Sequence, residues 1–283
     1  MDGSLTDDDF AAEVILRQRI PAQLTRSGCN FLNDYVAKHR IYLHQAQAMA
    51  RLQGMIDVLV ESASGRESQL QEAMQTRMDV IAIEFNRISR YRDDYDLRDL
   101  VDNFLTYMSE LAVEILRGHP ERLRTNVSVP VSSVIAYPTM ESFIEFAVEE
   151  TVLSEARKGW RSVRRLLKST CNLEIHPDPD QDLRLERAVL LRNLLTHQRG
   201  QVDARFLKAW MQAGGEGARL SVGTRFPEAL VKGAIPATNF LEWVFRVDAD
   251  AAANFSLEVL DPRNSLPSYR FVAGSTPDGT RIT

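Results

Sequence analysis

The stretch DLRDLVDNFLTYMSELAVEILRG, Asp96 to Gly118, decides the class of the chain. Its apolar residues Leu97, Leu100, Val101, Phe104, Leu105, Met108, Leu111, Ala112, Ile115 and Leu116 recur at steps of three and four. That spacing gathers them on one face of an α-helix. Asp96 is a good N-cap, Asp99 three residues on meets the positive helix start, and Gly118-His119-Pro120 stops the pattern. An apolar face this wide must be buried against other elements, and the neighbouring segments are helical too, so the reading is an all-α bundle.

Upstream, residues 1–9 read as frayed, and a helical pattern runs from Phe10 to about Glu61 with interruptions near Pro21 and Gly28. Phe31, Leu32, Tyr35, Val36, Tyr42, Leu43, Ala46, Met49 and Ala50 form its apolar stripe. Ser62-Ala63-Ser64-Gly65 breaks it, and a second helix is expected from about Glu67 to Tyr91. Two antiparallel helices joined by a short polar turn make a hairpin, whose Met and aromatic side chains suit a core or an oligomer interface. Downstream, Leu123–Pro138 reads as irregular, and Thr139 caps a long helix carrying Phe143, Ile144, Phe146, Val148 and Val152 into a basic end. A further helix starts near Asp180 and stops at Gly200, and another spans Pro227–Val247 with a kink at Pro236. These readings divide the chain into an N-terminal helical segment (1–93), a helical domain (94–260) and a tail (261–283).

The 283 residues, 44% hydrophobic and 26% charged, exclude wholesale disorder. The acidic start through Asp7-Asp8-Asp9 does not resemble a secretory signal, and no run approaches the ~18–20 apolar residues of a membrane span. Cys29 and Cys171 lack zinc or redox spacing. The expected location is the cytoplasm. A net charge of −5 does not advertise nucleic-acid binding, but charge is unevenly placed. Arg157, Lys158, Arg161, Arg164, Arg165 and Lys168 crowd into twelve positions without an acid, just after Glu145, Glu149, Glu150 and Glu155. A helix acidic at its start and basic at its end complements its own dipole; a row of cations can equally track phosphates.

One stretch concentrates chemistry. In Leu190-Leu191-Arg192-Asn193-Leu194-Leu195-Thr196-His197, the leucines fall within an arc of roughly 140° at about 100° per residue. Arg192, Asn193, Thr196 and His197 occupy the opposing arc, with Asn193 and His197 one turn apart. An imidazole, with an ordinary pKa of about 6.5, can take and return a proton at neutral pH, and a guanidinium offers permanent charge to phosphate oxygens. RNA supplies its own nucleophile, the 2′-hydroxyl. The same residues also suit a plain polar helix face.

The string RNLLTHQRGQVDARFL, Arg192 to Leu207, resembles the HEPN family, helical proteins marked by an Arg-x4–6-His motif in which Asn often follows the Arg. The resemblance extends to YDLRDLVDNFLTYMSELAVEILRGHPE, to the basic helix before the motif and to a closing helix around Phe240–Val247, covering about residues 95–255. It implies a helical bundle, commonly homodimeric, with two Arg/His motifs across one cleft. It also implies RNA as substrate, no cofactor or metal, and a place in toxin, antiphage or stress-response systems with an antitoxin or defence partner. Arg192 would then stabilise the phosphate, His197 would be the general acid/base, and Asn193 would position the ring or the substrate. Arg199, Arg157, Arg161, Arg164 and Arg165 are the candidate RNA-binding cations, and Asp102 and Glu110 the acids that could tune His197. Gln198 departs from the Asn common after the His, whereas Gly200 keeps the pattern. Arg199 stands where members silenced by nucleotidyl transfer carry Tyr. Family members that have lost catalysis leave a second expectation, a non-catalytic module binding RNA or protein.

Other chemistries find no support. His39, His44, His119, His176 and His197 show no paired metal spacing, and neither a phosphate-binding glycine loop nor a G-x-S-x-G elbow occurs. His119 beside Pro120 reads as a helix stop.

Overall fold

The computed structural model of the chain describes residues 20–38, 68–123, 131–175, 179–217, 220–227, 230–231 and 237–265, with isolated helical positions at 51, 54, 55 and 58. The elements are β1 (Leu24–Thr25), α1 (26–38), α2 (Ser68–Gly118), a 3-10 turn (Pro120–Leu123), α3 (Val131–Ile135) and α4 (Met140–Arg157). After them come α5 (Trp160–Ser169), α6 (Pro179–His197), α7 (Ala204–Gln212), α8 (Ala237–Phe255), β2 (Val259–Leu260) and α9 (Pro262–Ser265). Among the described residues the architecture is all-α apart from one antiparallel pair, Leu24 opposite Leu260 and Thr25 opposite Val259, and an isolated bridge between Gln201 and Arg225. The Ser62–Gly65 turn, the stripe from Tyr42 to Ala50 and the tail beyond residue 265 lie outside the described residues.

Helix α2 is the spine. Its expected stripe is buried at Leu97, Val101, Phe104, Met108, Leu111, Ala112, Ile115 and Leu116, and half-buried at Leu100 and Leu105. Phe104 meets Trp160 at 5.1 Å and Phe240 at 5.3 Å between ring centroids, and Tyr107 meets Phe31 at 5.3 Å. Residues of α1, α5, α6 and α8 therefore share one core with α2, and the division expected at 93/94 falls in mid-helix.

Four boundaries differ from expectation. Ser68–Gly118 is one helix of 51 residues, not two, and Asp96 lies inside it instead of capping it. Neither Gly nor Pro occurs between Ser68 and Arg117, and within the acid-rich stretch Asp94 is met by Arg225, whose Nη2 lies 2.5 Å from its Oδ2. Gly28 does not interrupt α1. Thr25 Oγ1 accepts the Gly28 N–H at 3.0 Å as an N-cap bond, and Gly28 serves instead as a gap for a neighbouring side chain. The helix capped by Thr139 ends at Arg157, because Gly159 takes φ +96° and α5 starts afresh at Trp160. Thr139 itself makes the expected cap, with a reciprocal bond to Ser142. Finally, Pro227 and Leu230-Val231 lie outside any α-helix and α8 spans Ala237–Phe255, past the expected end at Val247, while the kink expected at Pro236 falls outside the described residues.

The gap at Gly28 is filled by Asp248 of α8, which is 1% exposed. Its carboxyl accepts the Thr25 N–H at 2.8 Å, the Thr25 hydroxyl at 2.6 Å and the Tyr107 hydroxyl at 3.2 Å. Burial pushes this carboxyl above the ordinary aspartate range, against hydrogen bonds that favour its charged form. Nearby, Glu114 accepts from the Ser27 N–H at 3.2 Å and hydroxyl at 2.5 Å. Two acids of the bundle thus sit at the positive start of α1. Cys29 and Cys171 are buried and not joined in a disulfide. Among the described residues no helix is long and apolar enough to cross a membrane.

Candidate functional site

Helix α6 turns its leucines inward as the arc predicted: Leu191, Leu194 and Leu195 are buried and Leu190 half-buried, while Asn193, Thr196 and His197 are exposed. The helix is stopped by a turn that only a tolerant backbone can make. Gln198 N and Gly200 N both donate to Leu194 O, at 3.0 and 3.1 Å, with Arg199 at φ +52° and Gly200 at φ +78°. A segment more than twenty residues downstream clasps this turn. Phe226 N donates to Gly200 O at 2.8 Å, Val202 N to Thr224 O at 2.8 Å, and Arg225 Nη1 to Arg199 O at 3.2 Å. Arg225 therefore ties the end of α6 to α2 through Asp94. Asp203 caps α7 by accepting Phe206 N at 2.5 Å and also accepts Gln198 Nε2 at 2.7 Å, bonds that hold its carboxyl below the usual range.

Arg192, Asn193 and His197 open into one cleft of about 1250 Å³ lined by α2, α4 and α6, with further residues from α1 and the start of α7. The α2 wall presents Asp102, Thr106, Ser109 and Glu110; α4 and the residue after it contribute Arg157 and Lys158, and α7 contributes Arg205. Arg192 Nη2 lies 2.5 Å from Asp102 Oδ1, and its Nη1 donates to Asn193 Oδ1 at 3.0 Å. The His197 side chain has no hydrogen-bond partner among the described residues. Neither Asn193 nor Asp102 holds the imidazole; both hold the guanidinium. Glu110 faces the cleft but accepts from Asn30 Nδ2 at 3.2 Å.

The basic run is divided. Arg157 lines the cleft. On α5, Arg161 pairs with Glu186, and Arg164 Nη1 meets Asp182 Oδ2 at 2.5 Å, so both are neutralised by acids in the first half of α6. Arg165 is exposed and, like Arg199, is not part of the cleft wall. His119, the expected helix stop, sits between Glu121 and the Phe255 carbonyl, away from this cleft. Among the described residues no group of three or more His, Cys, Asp or Glu side chains could hold a metal ion.

Comparison of the chain with protein-family models, with curated proteins and with solved structures finds no match.

Sequence reasoning passed over Arg205, Thr106, Ser109 and Arg225. The first three carried a signal: Arg205 lies within the quoted motif string, and Thr106 and Ser109 follow Asp102 at helical spacing on the polar side of the α2 stripe. Arg225 carried none, because its partner Asp94 is 131 positions away.

Proposed function

We propose that the protein is a metal-independent endoribonuclease of the HEPN type, with Arg192 and His197 as its working pair. The observation that carries this reading is that a guanidinium and an imidazole, five residues apart on α6, open into the same large cleft. The His197 imidazole, without a partner among the described residues, is available to move a proton, and Arg192 is already held by Asp102 and Asn193. In the reaction the 2′-hydroxyl of RNA attacks the adjacent phosphorus, the bond to the 5′-oxygen breaks, and a 2′,3′-cyclic phosphate and a 5′-hydroxyl result. Arg192 stabilises the charge that builds on the phosphoryl oxygens, and His197 transfers the proton. A homodimer that brings two such clefts together, acting in the cytoplasm within a toxin, antiphage or stress-response system, is the setting this reading implies. The pairing of Arg161, Arg164 and Arg192 with carboxylates favours a second reading, a module that binds RNA or protein through this cleft without cutting.

The experiment is incubation of the full chain with mixed RNAs in chelator, beside His197→Ala and Arg192→Ala. Replacing His197 should cost ~10²–10⁴-fold in rate and replacing Arg192 ~10²–10³-fold. The double variant should lose less than the product, since both act on one transition state. DNA, lacking the 2′-hydroxyl, should survive. Cleavage that needs divalent metal, cuts DNA equally or persists in His197→Ala would overturn the reading, and RNA binding without cleavage would leave the module.

A further inference from the structure

The Arg192–Asp102 pair raises a difficulty for any phosphate ligand of the cleft. Both terminal nitrogens of the guanidinium already have a partner, Nη2 in Asp102 and Nη1 in Asn193, while Nε is buried with none among the described residues. A phosphate and a carboxylate draw on the same guanidinium donors, so a phosphate reaching Arg192 meets a carboxylate already there. The like charges also repel. The two partners of the pair are unequally held. The Arg192 side chain is 26% exposed and fastened to Asn193; that of Asp102 is 46% exposed and has no second partner among the described residues. A pair this open to water is weak, and solvent takes over the released carboxylate at little cost. Arg157 and Arg205, on other walls of the same cleft, make no salt bridge among the described residues, although the charge of Arg205 is felt by Asp203 two positions away.

We propose that Asp102 is a built-in competitor for substrate phosphate: it occupies Arg192 in the empty cleft and yields to a single-stranded polyphosphodiester that also engages Arg157 and Arg205. A lone phosphate gains one contact and must expel Asp102 for it. A strand gains several at once, so the cleft favours oligonucleotides over inorganic phosphate or mononucleotides. The proposal rests on the reading of the cleft as an RNA site, and binding is therefore tested apart from cleavage.

The probe is a fluorescein-labelled single-stranded DNA decamer, which carries the phosphates but no 2′-hydroxyl. Anisotropy titrations of the full chain at several salt concentrations compare wild type with Asp102→Asn and Asp102→Ala, each checked for a native circular dichroism spectrum. Both variants should bind about fivefold tighter, the equivalent of a weak exposed ion pair no longer opposing binding. The salt slope should stay close to that of wild type, because Arg192 meets a phosphate in both bound states. Inorganic phosphate should compete for the variants and scarcely for wild type. In an Arg192→Gln background the gain should vanish. Weaker or unchanged binding in both Asp102 variants overturns the proposal, as does a gain that survives without Arg192, which would mark a general charge effect. The two readings fail separately. Tighter binding in the Asp102 variants with no RNA cleavage by wild type keeps the competitor and removes the ribonuclease. Cleavage lost in His197→Ala with unchanged affinity in Asp102→Asn does the reverse.

Discussion

A methyl group at Gly28 tests the way the first helix is joined to the bundle. An ideal Cβ there would stand 2.7 Å from Asp248 Cγ and 2.9 Å from Oδ2, and nearer still to Oδ1. Carbon contacts are comfortable only beyond about 3.5 Å, so the carboxyl must move. It is 1% exposed and fixed by Thr25 and Tyr107, and moving it strands buried donors. Overpacking of this kind costs ~1–3 kcal/mol, and a buried donor left unpaired costs ~1–3 kcal/mol more. Against this, Gly→Ala inside a helix gains up to about 1 kcal/mol in propensity. The clash wins, and Gly28→Ala should lose roughly 2–4 kcal/mol. Urea unfolding followed by far-ultraviolet circular dichroism should show a lower midpoint with an unchanged slope. In an Asp248→Ala background the same substitution should be neutral or stabilising, because its obstacle is gone. A Gly28→Ala protein as stable as wild type would refute the reasoning.

Other consequences can be checked in the same protein. Arg225→Ala removes the ion pair to Asp94, which is 6% exposed, and unties the turn after α6; about 1–3 kcal/mol should be lost in urea unfolding, reduced by the partial exposure of Arg225. Burial raises the folded-state pKa of Asp248, so this carboxyl binds its proton more tightly in the folded chain. Its contribution is therefore full below the ordinary aspartate value of about 3.9 and declines as pH rises toward the elevated folded value. The stability advantage of wild type over Asp248→Asn should accordingly narrow across that window, as read from unfolding at a series of pH values. If the cleft binds RNA, Arg157→Gln should flatten the salt dependence of affinity, whereas Arg161→Gln and Arg164→Gln, whose charges are already met by Glu186 and Asp182, should leave it unchanged.

Local periodicity made much of this molecule legible. The stripe from Leu97 to Leu116 is the buried face of α2, and the leucines of Leu190–Leu195 leave Asn193 and His197 exposed, because helical phase is settled within a few turns of chain. The Thr139 cap and the stop at Gly200 were readable for the same reason: each depends on backbone groups three to six residues away. Breaks inferred from polar or flexible residues were less secure. Asp96 read as a helix start and Gly28 as an interruption, yet both lie within helices, and their neighbourhoods include Arg225 at Asp94 and Asp248 at Gly28, partners from across the fold.

The electrostatics of the site belong to the tertiary structure. From sequence, Asn193 stood one turn from His197 and was expected to orient it, and the cations from Arg157 to Arg165 formed one continuous candidate surface. Packing α6 against α2 brings Asp102 to Arg192, and packing α5 against α6 gives Arg161 and Arg164 their own carboxylates. Which residues share a helix face follows from a 3.6-residue repeat written into the chain. Which charges remain unpaired in the cleft follows from where helices cross, and an interaction of a few ångströms' range cannot be read until the crossing has been made.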